Sequence, residues 1–146
     1  MHLLARPGDP FVPLAFNVDS SVGEGGANSN STDVALVQFL LKKTSRSPKL
    51  SADTKARMAR VRITGSVDPL TVDGIRAIQE HMRRKHPGTV VDGRVSPARG
   101  HWYGEGAWTI VSLNRSMRIQ FPSQWPRLQD ISECPGSVRS KVPTLI

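Results

Sequence analysis

Catalysis needs acids, bases, nucleophiles or metal ligands that converge, and this chain has few residues to offer. It has four histidines and one cysteine. His81 and His86 are five positions apart, so they do not share a helix face as an i, i+4 zinc-binding pair would; His2 and His101 stand in segments that read as loops. No metal site or cofactor is expected. Asp68 and Asp73 could be read as paired carboxylates, but they sit where a helix begins and its dipole favours negative charge. Cys134 precedes Pro135 with no histidine nearby in sequence, and reads as a packing residue rather than a thiolate. The run Gly23-Glu24-Gly25-Gly26 has no strand before it and no Lys-Ser/Thr after it, so it does not make a phosphate cradle. Gly-x-Ser-x-Gly is absent as well. The expectation is a protein that binds or docks without catalysing.

Binding chemistry is better supplied. Trp102 and Tyr103 lie in a glycine-flanked stretch and could stack on the apolar faces of sugar rings; the alternative is that Trp102 plugs the end of a helix bundle. Arg83, Arg84 and Lys85 could meet phosphates or carboxylates, or form a solvated last helical turn. The net charge of +8 is uneven. Residues 41–100 hold 14 Lys and Arg against 5 Asp and Glu, whereas residues 1–40 are net acidic. That field would draw anionic polymers or an acidic protein partner. Nucleic acid is disfavoured, because no helix-turn-helix, zinc-finger or aromatic sheet pattern accompanies the charge. No apolar run reaches the length of a membrane span, and the start carries no Sec-type pattern.

The elements that must position these residues are helical. A first helix should begin near Thr32 or Asp33 and run to about Lys43, with Val34, Val37 and Leu41 on its core face. Residues 44–62 are basic and polar and read as an exposed loop with at most one turn of helix. The second helix is the clearest: Asp68 at the cap, Pro69 at the first position, and Arg83-Arg84-Lys85 before the stop at Pro87-Gly88. A third helix is expected from Ala107 to about Arg118. Residues 1–31, with Pro7, Pro10, Pro13 and a glycine-rich end, read as an extended arm and loop. Residues 122–146 read as a second arm with a short helix near Pro135 to Val142, which leaves 32–121 as the domain.

Three segments of that domain resemble the peptidoglycan-binding-like family, a small three-helix module that often accompanies cell-wall hydrolases. Val34-Ala35-Leu36-Val37-Gln38-Phe39-Leu40-Leu41 fits the family's first-helix pattern. Thr64 to Gln79 follows its central signature, with Gly65, Thr71, Ile75 and Gln79 agreeing and Thr64 and Asp68 departing from it. Asp92-Gly93-Arg94-Val95-Ser96-Pro97 carries its next signature, Asp92, Gly93 and Pro97 included. The resemblance implies a mainly α, three-helix fold with extended N- and C-terminal arms. It implies mostly scaffolding roles for these positions: tight turns at the glycines, and Gln38 and Gln79 bonded to loop backbone. It also implies a cell-wall partner. A wall-binding chain made in the cytoplasm without a Sec signal would reach the wall as part of a larger assembly, such as a virion or an injection machine. Other subunits of that assembly are therefore the second expected partner, and a purely structural virion role is the alternative.

Overall fold

The computed structural model describes residues 1–99 and 108–146. The protein is a mainly α small domain, with two short two-stranded sheets among the described residues. Helix α1, Ser31–Thr44, is its axis: every residue from Asp33 to Leu41 is buried. A helix apolar on all sides must be surrounded. Around it pack α2 (Ala52–Ala59), α3 (Pro69–Lys85), α4 (Thr109–Gln120) and α5 (Gly136–Leu145), each in contact with it.

Asn30, rather than Thr32 or Asp33, caps α1, accepting from Asp33 N at 3.0 Å. Asp33 is buried and turns its carboxylate back to the chain before the helix, where Oδ2 accepts from Asp19 N and Ser20 N at 2.9 and 3.0 Å. Residues 44–62 hold more helix than expected. Ser51 caps two turns of α2, whose Thr54 and Met58 are buried and whose Arg57 turns toward α3. Helix α3 begins and ends as expected. Gly74 is required there, since a Cβ would lie 2.5 Å from the Val61 side chain. The expected start of the next helix at Ala107 lies outside the described residues; α4 runs from Thr109, two residues beyond the expected end.

The two expected arms belong to the core. Residues 1–17 form a hairpin in which β1 (His2–Ala5) pairs antiparallel with β2 (Leu14–Asn17). Pro7, Pro10 and Pro13 all fall in the connection, so neither strand loses a donor. Asp9 Oδ1 closes the turn by accepting from Phe11 N and Val12 N. Buried Asn114 fastens β2 to α4, accepting from Phe16 N at 2.7 Å and donating to Phe16 O at 2.9 Å. At the other end, Leu128, Ile131, Cys134, Val138 and Val142 are all buried, and Trp125 meets Phe16 edge to face at 5.5 Å. Prolines broke up this apolar spacing in the sequence, yet Pro135 merely precedes α5 and Pro143 falls in its last turn. Val22–Gly23 (β3) pairs with Arg94–Val95 (β4), so the glycine-rich segment joins the turn after α3.

Candidate functional site

Asp68 and Asp73, the carboxylates that the sequence offers as a pair, are occupied in structural bonds. Asp68 Oδ1 caps α3, accepting from Thr71 N at 2.8 Å and Thr71 Oγ1 at 2.9 Å. Burial opposes its ionisation, but those bonds and Arg62 outweigh it, and the carboxyl titrates below its ordinary value. Asp73 is held by Arg57, whose Nη2 and Nε lie 2.8 and 3.1 Å from its oxygens, and Arg57 Nη1 reaches Glu80 at 2.7 Å. The guanidinium depresses the Asp73 carboxyl, and the two carboxylates raise the arginine in turn. The pair staples α2 to α3 and offers no free base. Burial pushes the Cys134 thiol up to about 11, which keeps it protonated at neutral pH. His2 bonds Asp19, and His101 lies outside the described residues. Among the described residues no three His, Cys, Asp or Glu cluster as metal ligands.

The residues of the signature segments come together in two clamps. Gln38 Oε1 accepts from Thr64 N and Gly65 N, both at 2.9 Å, while its Nε2 donates to Ser66 O at 2.8 Å and Thr71 Oγ1 at 3.1 Å. Gln79 Oε1 accepts from Asp92 N at 3.1 Å and Gly93 N at 2.9 Å, while its Nε2 donates to Arg94 O at 2.9 Å and Thr109 Oγ1 at 3.2 Å. Each buried amide thus serves a tight turn as an adjacent strand would. Gly65 and Gly93 take positive φ, +80° and +70°, where side chains are strained. Ile75 of α3 is fully buried, and Pro97 is half-buried after the second turn. These residues build a scaffold. No family model, curated protein or solved structure matches the chain.

The basic triplet divides. Arg83 Nε donates to Thr89 O at 3.1 Å and ties the turn after α3. Arg84 and Lys85 are exposed. Trp102 and Tyr103, the aromatic candidates, lie outside the described residues. Lys85 edges a groove of about 200 Å³ between the C-terminal ends of α1 and α3 and one side of α4. Leu50, Ile78 and Met82 supply buried apolar residues to it, and Ile119 an exposed one. His81 lines it too; burial, with Arg84 and Lys85 alongside, holds this histidine below its usual value, so it is neutral at pH 7. Sequence reasoning missed this groove because its wall comes from three separated segments, no two of which form a motif. It also missed Lys43, fully buried in α1, whose Nζ reaches Glu133 at 2.7 Å and Ser132 at 3.0 Å. Nothing about a lysine on an apolar helix signals a partner ninety residues away.

Proposed function

We propose that the chain is a non-catalytic docking module on a peptidoglycan-binding-like scaffold, carried in a larger protein assembly of the virion or injection type that meets the bacterial wall. In this reading α1, α3 and α4 form the family's three-helix bundle. The observation that carries it is the pair of glutamine clamps. Gln38 and Gln79 hold the two glycine turns at the positions where the resemblance puts scaffold residues. The engagement of Asp68, Asp73 and Cys134 in caps, ion pairs and core supports the non-catalytic half.

Sedimentation with purified sacculi at low salt tests the wall contact. The protein should pellet with the sacculi, and Trp102→Ala/Tyr103→Ala should leave it in the supernatant. Wild-type protein that stays in the supernatant removes the wall from the reading and leaves docking between proteins. Binding to duplex DNA that falls steeply with salt would instead favour a nucleic-acid role.

A further inference from the structure

We propose that the groove between α1, α3 and α4 receives an acidic segment of a partner protein, with one apolar side chain inserted as its anchor. This rests on the docking half of the function proposed above and not on the wall contact. The volume, about 200 Å³, exceeds the roughly 150 Å³ that holds a benzene ring. It is below the roughly 300 to 1,000 Å³ of sites that enclose a whole small molecule. A single large apolar side chain suits it, the arrangement found where one buried anchor dominates an interface. Leu50, Ile78, Met82 and Ile119 offer that side chain apolar contact.

Charge selects what flanks the anchor. Lys49, Lys85 and Arg115 stand exposed around the groove, from three different segments, beside His86. None of these four makes an ion pair with a carboxylate among the described residues, and no aspartate or glutamate is among the described residues lining the groove. Acids flanking an inserted residue would meet cations from separate segments, Lys49 after α1 and Lys85 on α3, while the Arg115 guanidinium already lies over the Phe11 ring at 4.8 Å.

The test uses the full chain and an acetylated, amidated heptapeptide, Glu-Asp-Glu-Leu-Glu-Asp-Glu, against the same peptide with glycine at its centre. Binding is followed by fluorescence anisotropy and located by amide shifts in nuclear magnetic resonance spectra. The leucine peptide should shift Thr44, His81, Ser112 and Ser116, and bind about tenfold more tightly than the glycine peptide. Lys49→Glu/Lys85→Glu changes only exposed side chains, so the fold is retained, and it should weaken the leucine peptide about tenfold or more. Equal binding of the two peptides would show charge attraction without an anchor and would overturn the proposal. So would shifts that map away from the groove, an undiminished affinity in the charge-reversed variant, or no shift at millimolar peptide. Sacculus binding with no peptide binding would leave the wall contact standing and sink the groove alone.

Discussion

The turn held by Gln38 and the turn held by Gln79 are two versions of one device, and their differences separate scaffold from elaboration. Residue by residue they correspond: Thr64 with Asp92, Gly65 with Gly93, Ser66 with Arg94, and Thr71 with Thr109. Both are followed by Val-x-Pro. Two features distinguish them. The first turn is near water, with Thr64 and Ser66 exposed, whereas Gly93 is buried and its carbonyl accepts from Glu24 N beside the β3–β4 ladder. The first also reaches its threonine within six residues of the glycine; the second takes sixteen, and the added sequence holds Trp102 and Tyr103. The first copy is a compact helix start. The second spans three segments and carries an insertion with the aromatic candidates.

The largest expected contrast is between the amides themselves. Gln79→Leu strips partners from Asp92 N, Gly93 N and Arg94 O together, in a turn where water has poor access; about 4 kcal/mol should be lost. Gln38→Leu strips the same set from a turn that solvent can rehydrate, and about 2 kcal/mol is expected. Urea denaturation of both variants measures the difference. Equal losses would mean that exposure of the turn does not set the cost.

The glycines come next. Alanine at either position meets the strain of positive φ, about 1 kcal/mol. At Gly65 the added Cβ finds only Ser31, its O at 3.5 Å and its Cβ at 3.8 Å, both ordinary contacts, so the cost should stop there. At Gly93 it meets Arg76 Nε at 3.0 Å and Val72 Cγ1 at 3.1 Å, which must yield, and about 2 to 3 kcal/mol is expected. The same denaturation experiment ranks them, and Gly93→Ala no worse than Gly65→Ala would place the crowding elsewhere.

A smaller contrast concerns acid. The first clamp leans on a carboxylate, since Thr71 donates its hydroxyl to Asp68 while accepting from Gln38. In the second, the residue before Thr109 is Trp108, which gives α4 no side-chain cap bond. A carboxyl that titrates below its unfolded value of 3.8 stabilises the fold fully above that value, and the contribution is lost as pH falls through the lower folded value. Asp68→Asn keeps a capping oxygen and removes the titration. Its stability should fall less steeply than wild type's below pH 3.8 in denaturation curves collected across that range. Parallel acid limbs would show that other carboxylates control the decline.

How much of this was legible follows from the range of each interaction. Asp68, Pro69 and the basic end of α3 act within one helix, so composition at fixed offsets announced them. The glutamine clamps were legible through the resemblance, although the bonds of Gln38 cross 26 to 33 positions. The hairpin and α5 were not. Their apolar residues, Phe16 and Val138 among them, are buried against segments far along the chain, and intervening prolines masked the periods. Asn17 and Asn114 show the same limit: each makes paired backbone bonds, to Ala98 and Phe16, that no local pattern encodes. For the candidate site, Lys85 was legible as charge. The groove it borders was not, because Thr44, His81 and Ser112 meet only once three helices are packed.

The smallest expected effect decides how similar the two turns are. Thr64 departs from the aspartate that the resemblance leads one to expect, yet its Oγ1 accepts from Ser66 N at 3.2 Å just as Asp92 Oδ1 accepts from Arg94 N at 3.0 Å. It also receives Gln38 Nε2 at 3.4 Å, the counterpart of the 3.1 Å bond from Gln79 to Asp92. A hydroxyl and a carboxylate close the same turn, since short oxygen-bearing side chains bond the backbone two residues on. The Thr64 hydroxyl does one thing more, donating to Ser66 O at 3.0 Å, which an ionised carboxylate cannot do. Thr64→Asp should therefore exchange that donated bond for a stronger acceptor and change stability by less than about 0.5 kcal/mol. Thr64→Val keeps the shape, loses all three bonds and should cost about 1 kcal/mol. If aspartate destabilises as much as valine, the donated bond is what holds the first turn, and the two turns share a shape without sharing its cause.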